Sequence, residues 1–315
     1  MIFDCHGDIL TDIFNQRKEG TKDVFKNRHL DNFKKGKVKG GIFVVWIDPY
    51  TTDDTREELI QTLKHVSTEI IENKGLFNII RQNEDFKIEN NNEKIHMIIG
   101  VEGLKCIGED LDWIDLLYIY GIRHVSLTWN EANKLGTGVD GDSYSGLTLL
   151  GERLIKKLEQ MNMIIDVSHA NEKTFWDIIN ITKKPVIASH SNCKSLCNHK
   201  RNLTDSQIKA IGDNGGLIGM NIHKSFVSES KELQTIDRLI DHIDHVVKLI
   251  GINHVGFGFD FCEYLDDFKD TNIKGVENVS KVQDIIKMLK SREYSDEDIN
   301  KISYKNFETI INKIL

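Results

Sequence analysis

Eight short runs rich in Ile, Val, Leu and Phe recur along this 315-residue chain, with helix-like segments between them. They occupy residues 1–5, 41–47, 96–101, 124–128, 163–168, 185–189, 216–222 and 254–259. Such near-continuous apolar runs suit parallel strands covered on both faces. After the second run, Leu59, Leu63, Val66, Ile70 and Ile71 share one helical stripe. Residues 147–161 and 236–250 carry similar stripes, and 205–211 and 282–289 shorter ones. Thr204 opens the text Thr-Asp-Ser-Gln, which predicts a capped helix start. Eight alternations predict an α/β fold, a (β/α)8 TIM barrel spanning residues 1–315 as one domain. The rival, an open doubly wound sheet, needs a glycine-rich phosphate turn after its first strand. The early candidate, Gly36-Lys-Val-Lys-Gly40-Gly41, precedes a strand instead.

Charge and composition remove several functions. The formal net charge is -8, the wrong sign for a chain that neutralises nucleic-acid phosphates. No apolar run approaches the roughly 20 residues of a membrane span. The start, MIFDCHGDIL, lacks the basic-then-apolar pattern of a secretory signal, and NFETIINKIL resembles an amphipathic helix more than an anchor tail. A cytoplasmic location is the expectation. The five cysteines are then free thiols, and Cys193 and Cys197 lack the second pair of a four-thiolate zinc site. The most polar stretch, Glu89-Asn90-Asn91-Asn92-Glu93-Lys94, reads as a surface loop.

In a barrel of this kind the active site lies where the strands end. The first run ends in His6-Gly7-Asp8, the third in Glu102, the fourth in Trp129-Asn130. The fifth ends in His169, the sixth in His190, the seventh in Asn221 and His223, the eighth in Asp260. Taken singly, a histidine after a strand is an ordinary hydrogen-bonding residue. Convergence changes the reading, because carboxylates buried together repel and desolvate unless a cation joins them. Imidazole and carboxylate without thiolate suit zinc, iron, manganese or nickel. One catalytic zinc takes about three protein ligands, so the surplus points to two metals sharing one water. The class is therefore a metal-dependent hydrolase. Asp166 and His124 read as structural hydrogen-bonding residues. Cys5 is expected to face away from the site, and Trp46 and Asp48 to line it.

These residues, in this order, resemble the membrane (renal-type) dipeptidase family, peptidase family M19 of the amidohydrolase superfamily. The likeness rests on Asp4-Cys-His6-Gly-Asp8, Gly100-Val-Glu102-Gly103 and Ile165-Asp-Val-Ser-His169. It continues through Pro185-Val-Ile-Ala-Ser-His190-Ser191, Arg201-Asn202 and Val255-Gly-Phe-Gly-Phe-Asp260-Phe261. The resemblance implies two Zn2+, with His6 and Asp8 on one, Glu102 bridging, and His169 and His190 on the other. It implies that Arg201 holds the substrate carboxylate and that Asp260 shuttles the proton. It also implies a dipeptide substrate, including dipeptides with a D-residue at the C-terminal position.

Three positions depart from the family pattern. Trp129 stands where many members have an oxyanion-stabilising histidine, although a bacterial subset shares the Leu-Thr-Trp-Asn text. Phe226 stands where some members have a substrate-facing tyrosine. Cys262 stands where a second aspartate is common. His223 is a candidate replacement for the missing histidine, against the reading of an exposed loop residue. Trp129 and Phe226 make the pocket more apolar and keep open a hydrolase of N-acyl amino acids, cyclic amides or modified dipeptides. A metal-binding relative without catalysis is the third reading. Barrel relatives often pair, so a homodimer is compatible with all three.

Overall fold

The eight apolar runs form one closed parallel sheet in a computed structural model that describes residues 1–51, 54–86, 93–265 and 268–315. The strands are β1 (Ile2–Gly7), β2 (Val38–Trp46), β3 (Phe77–Ile79), β4 (Ile95–Glu102), β5 (Ile122–Ser126), β6 (Ile164–Asp166), β7 (Ile187–Ala188), β8 (Leu217–Met220) and β9 (Val255–Phe257). They neighbour one another as β2-β1-β9-β8-β7-β6-β5-β4, and β2 pairs with β4 to close the (β/α)8 barrel. The extra strand β3 has no counterpart among the expected runs. Its three residues pair beside the start of β4, too few to show a period. The second strand begins three residues earlier than its apolar text suggests, so Val38, Lys39 and Gly40 also lie inside β2.

Alternation along each strand sorts the core. Phe3, Cys5, Ile42, Val44, Ile98, Ile164, Ile187 and Leu217 pack together with Phe307, Ile310, Ile311 and Ile314. The last four lie on the C-terminal helix Asn306–Ile314, which closes the end of the barrel opposite the site. Their sequence neighbours Phe43, Val45, Met97 and Ile99 join the larger cluster under the helices. Helices Thr55–Glu72, Leu149–Gln160, Asp205–Asp213, Ile236–Ile250 and Gln283–Ser291 occupy the expected segments. At Thr204 the capping box forms, with Gln207 N–H donating to Oγ1 at 3.3 Å and Thr204 N–H donating to Gln207 Oε1 at 2.9 Å.

Cys5 does not face away from the site. Asp4 sits opposite Gly41 and Gly7 opposite Phe43, three steps on β1 against two on β2. This one-residue bulge lets Cys5 and His6 both serve the barrel interior. All five cysteines are free and buried, and the Cys193 and Cys197 thiols donate to separate backbone carbonyls, His242 and Ser225. Most of the polar loop, residues 89–92, lies outside the described residues. No helix among the described residues is long and apolar enough to cross a membrane.

Phe307 is buried and stacks on Phe3 with ring centroids 5.5 Å apart. Phe307→Ala is expected to destabilise the fold by about 3–5 kcal/mol, measured by urea unfolding. A loss under about 1 kcal/mol would mean that the terminal helix does not close the core.

Candidate metal centre

Every strand-end residue singled out above reaches one region. Glu102 closes β4, His6 lies near the end of β1, and Asp8 is the N-cap of helix Ile9–Lys18. His169, His190 and Asp260 lie two to three residues past β6, β7 and β9. His169 and Asp260 have φ of 67° and 60°, a left-handed backbone that costs a non-glycine residue of order 1–3 kcal/mol.

Glu102 Oε1 is the centre of the arrangement. His169 Nε2 lies 2.9 Å from it, His6 Nε2 3.4 Å and His190 Nε2 3.5 Å. His169 Nε2 and His190 Nε2 are 2.8 Å apart, and Asp260 Oδ1 lies 4.0 Å from His6 Nε2. Ligand atoms of three triads, His6–Asp8–Glu102, Glu102–His169–His190 and His6–His190–Asp260, lie within 4.8 Å of one another.

The outer ring nitrogens decide what the inner ones present. Asn130 Oδ1 can only accept, so His169 Nδ1 donates to it at 2.7 Å. Ser189 Oγ lies 3.2 Å from His6 Nδ1 and 2.8 Å from His190 Nδ1, while its own proton goes to Asp166 Oδ2 at 2.5 Å. In its neutral form each of the three imidazoles therefore carries its proton at Nδ1 and aims an Nε2 lone pair at a carboxylate oxygen. Lone pairs at 2.8–3.5 Å repel unless positive charge lies between them. His6 Nε2 and Glu102 Oε1 are also buried without a hydrogen-bond partner. This donor set fits divalent metal, and the described residues able to hold it are His6, Asp8, Glu102, His169, His190 and Asp260.

The protonation pattern shows the same demand for positive charge. Burial alone would depress His6, but Glu102, Asp8 and Asp260 outweigh it and raise the imidazole to about 10. Burial and Arg201 lower His169 to about 4, and burial and His6 hold His190 far below its usual range. Burial opposes ionisation of Glu102, yet His6 and His169 keep its carboxyl well down. Burial raises Asp8 and Asp260, with the Glu102 charge adding to both.

Above the cluster is a cavity of about 280 Å³. Asp8, Glu102, His169 and Asp260 line it, together with Trp129, Arg201, His223 and Phe226. His6 and His190 are more deeply buried beside Glu102. Trp46 also lines the cavity, with its ring 5.3 Å from Trp129 and 6.0 Å from Phe268. Asp48 is not among the lining residues; its carboxylate accepts from Tyr50 N–H. Phe226 stacks between His199 at 4.5 Å and His223 at 4.3 Å. His223 is half-buried rather than an exposed loop residue. Its Nδ1 accepts from Ser225 N–H, and burial lowers the ring to about 4, so its proton sits at Nε2.

Arg201 is buried. Among the described residues its guanidinium donates one hydrogen bond, to the His190 carbonyl at 3.4 Å, and has no ion pair. The sequence reading passed over Ser189, His199, Lys200 and Phe268, and named Asn130 and Asn221 as strand ends without a role. Ser189 carried a signal: it follows inward-facing Ile187 by two residues. Glu102→Ala is expected to weaken divalent-cation uptake about tenfold or more, read by chelator competition and elemental analysis. Unchanged uptake would show that the imidazoles do not need the carboxylate.

Comparison with known proteins accords with this architecture. The family model "Membrane dipeptidase (Peptidase family M19)" matches residues 1–314. An uncharacterised protein from the pqqA 5′ region of Klebsiella pneumoniae is 33% identical over 228 residues, covering 69% of this chain and 80% of its own length. An uncharacterised dipeptidase of Schizosaccharomyces pombe is 34% identical over 215 residues, 66% of this chain and 50% of its own. A Rhodobacter sphaeroides metallopeptidase, solved with a phosphinate mimic of L-Ala-D-Ala, has a TM-score of 0.89 at 23% identity, over 100% of this chain and 99% of that one; the likeness is one of fold. By its match along almost the whole length, the chain belongs to the membrane dipeptidase family, peptidase family M19, whose members are metallopeptidases that hydrolyse peptide bonds.

Proposed function

We propose that this chain is a dipeptidase that works with two Zn2+. His6, Asp8 and Glu102 would hold one ion, and Glu102, His169 and His190 the other. Manganese, iron or nickel would suit the same donors. When bound, the ions supply Lewis-acid polarisation of a carbonyl and acidify water at neutral pH. The observation that carries the reading is Arg201, a buried guanidinium that has no carboxylate partner among the described residues and lines the cavity that holds the cluster.

A dipeptide offers Arg201 the partner it lacks, because its free carboxylate lies one residue from the scissile carbonyl. The guanidinium fork matches a planar carboxylate, which orients the substrate and disfavours longer peptides. Asp260 is placed to take a proton from the attacking water at Oδ1 and return it to the leaving amine. Asn221 Nδ2 donates to its Oδ2 at 3.0 Å and steadies the carboxyl. Burial raises Asp260, which favours a group that accepts and releases a proton. Trp129 offers an indole N–H toward the oxyanion and His223 a second neutral donor at Nε2–H in the same cavity; His223 is assigned that task. The Rhodobacter enzyme was captured with a mimic of L-Ala-D-Ala, which makes L,D-dipeptides early substrates to try.

A second reading has its own support. Trp46, Trp129 and Phe268 form an apolar wall, and the only carboxylates among the described lining residues belong to the cluster. Nothing else there pairs with a substrate ammonium, which suits N-acyl amino acids.

Zinc-reconstituted protein is expected to cleave L,L- and L,D-dipeptides. Asp260→Asn should retain its metals and lose about 10²–10⁴ in kcat, followed by amine release. Near-normal turnover in that variant would remove Asp260 from the chemistry. Faster cleavage of acylated amino acids than of free dipeptides would favour the second reading. His223→Ala should lower kcat about 10²-fold. His254→Ala, whose ring binds the Gly216 carbonyl elsewhere, should not. Equal effects from the two would end the oxyanion role of His223.

A further inference from the structure

One hydroxyl touches both halves of the metal cluster. We propose that Ser189 is a shared positioning residue that sets the His6 and His190 tautomers together and so couples the two metal positions. The inference rests on the two-metal reading above and adds to it a residue that touches neither substrate nor metal.

Asp166 is buried inside the barrel. Its Oδ1 accepts from the backbone N–H groups of Ser168 at 2.9 Å and Ser189 at 3.0 Å. Its Oδ2 accepts from Ser189 Oγ at 2.5 Å and faces His124 Nε2 at 3.1 Å. Four donors on one carboxylate outweigh the burial that opposes its charge and hold it ionised. An ionised carboxylate only accepts, so the single Ser189 proton must point at it. Both lone pairs of Oγ are then left for other donors.

Two donors are in place: His6 Nδ1 at 3.2 Å and His190 Nδ1 at 2.8 Å, on rings whose centroids are 3.9 Å apart. One proton and two lone pairs are the complete capacity of a hydroxyl, and all are used. Each ring is thereby held with Nε2 unprotonated toward the metal positions. His6 belongs to the triad with Asp8, and His190 to the triad with His169. His169 does not share this control, because Asn130 sets its tautomer separately.

The barrel makes room for this layer with glycines. A Cβ on Gly258 would lie 1.7 Å from the Ser189 carbonyl oxygen, and one on Gly100 would lie 2.5 Å from His124 Nδ1. A residue with a side chain at either position would push the Asp166–Ser189 pair out of register with the histidines.

The test is zinc binding by isothermal titration and elemental analysis, beside circular dichroism. The wild type is expected to hold two zinc ions. Ser189→Ala is expected to weaken both, each by about 10–100-fold. Asn130→Ala should weaken only the one that includes His169. Loss of a single ion in Ser189→Ala, or wild-type affinity for both, would overturn the coupling while leaving the two-metal reading intact. A wild type that binds one zinc would overturn the two-metal reading and the coupling with it. A direct measurement covers a Ser189→Ala chain that fails to fold. Nitrogen-15 spectra of histidine-labelled, zinc-loaded wild type should show His6 and His190 both protonated at Nδ1. A proton at Nε2 on either ring would also overturn the coupling.

Discussion

Three imidazole lone pairs aimed at one carboxylate oxygen cannot coexist in a dry interior without positive charge among them. That constraint organises the upper half of this barrel. Glu102 Oε1 has His169, His6 and His190 Nε2 within 3.5 Å. Isolated buried charges of this kind are among the most expensive features a fold can carry. The surroundings do not relieve the repulsion; Ser189 and Asn130 enforce it by occupying the outer nitrogens. The chain is built to leave electron pairs unsatisfied, which is the signature of a receptor for cations rather than of a structural network.

The cavity above extends this logic to a substrate. Among the described residues Arg201 is a cation without a carboxylate partner, and the cluster is an assembly of electron-pair donors without an internal acceptor. A dipeptide has a carboxylate for the first and a polarisable amide beside it. Between them the walls are aromatic and imidazole, with little freedom to reorganise: Trp46 and Trp129 are in contact, and His199, Phe226 and His223 stack. A stiff wall suits a small substrate held at both ends, since orientation contributes more to rate than added contact.

Much of this was legible in the sequence because a barrel strand converts text into position. Each apolar run ends where the rim begins, so the residue after the run identifies what faces the site. His6, Glu102, His190 and Asp260 were readable in that way. Features that depend on a break in regularity were not. The one-residue slip in β1 lets His6 join Cys5 on the barrel interior, and apolar alternation carries no mark of it. The left-handed turns at His169 and Asp260 are invisible in residue type, since neither is glycine. Ser189 looked like the end of a strand beside a more conspicuous histidine, and only its three distances set it apart. The three residues of β3 were too few to register as a period.

Closure of the barrel has a temporal consequence. β1 lies between β2 and β9, so the first strand finds one of its two neighbours only near the other end of the chain. Asp4 marks that seam, accepting from the His6 and Phe259 N–H groups across it. During synthesis, His6 and Asp8 leave the ribosome early and wait for about 250 residues before Asp260 arrives. Contacts of such separation form late. A nascent chain can fold much of its sheet and still present half a cluster. Capture of cations by the whole cluster is therefore an event of completed synthesis, and a chain stalled before β9 would pass through the cell unable to acquire its full activity.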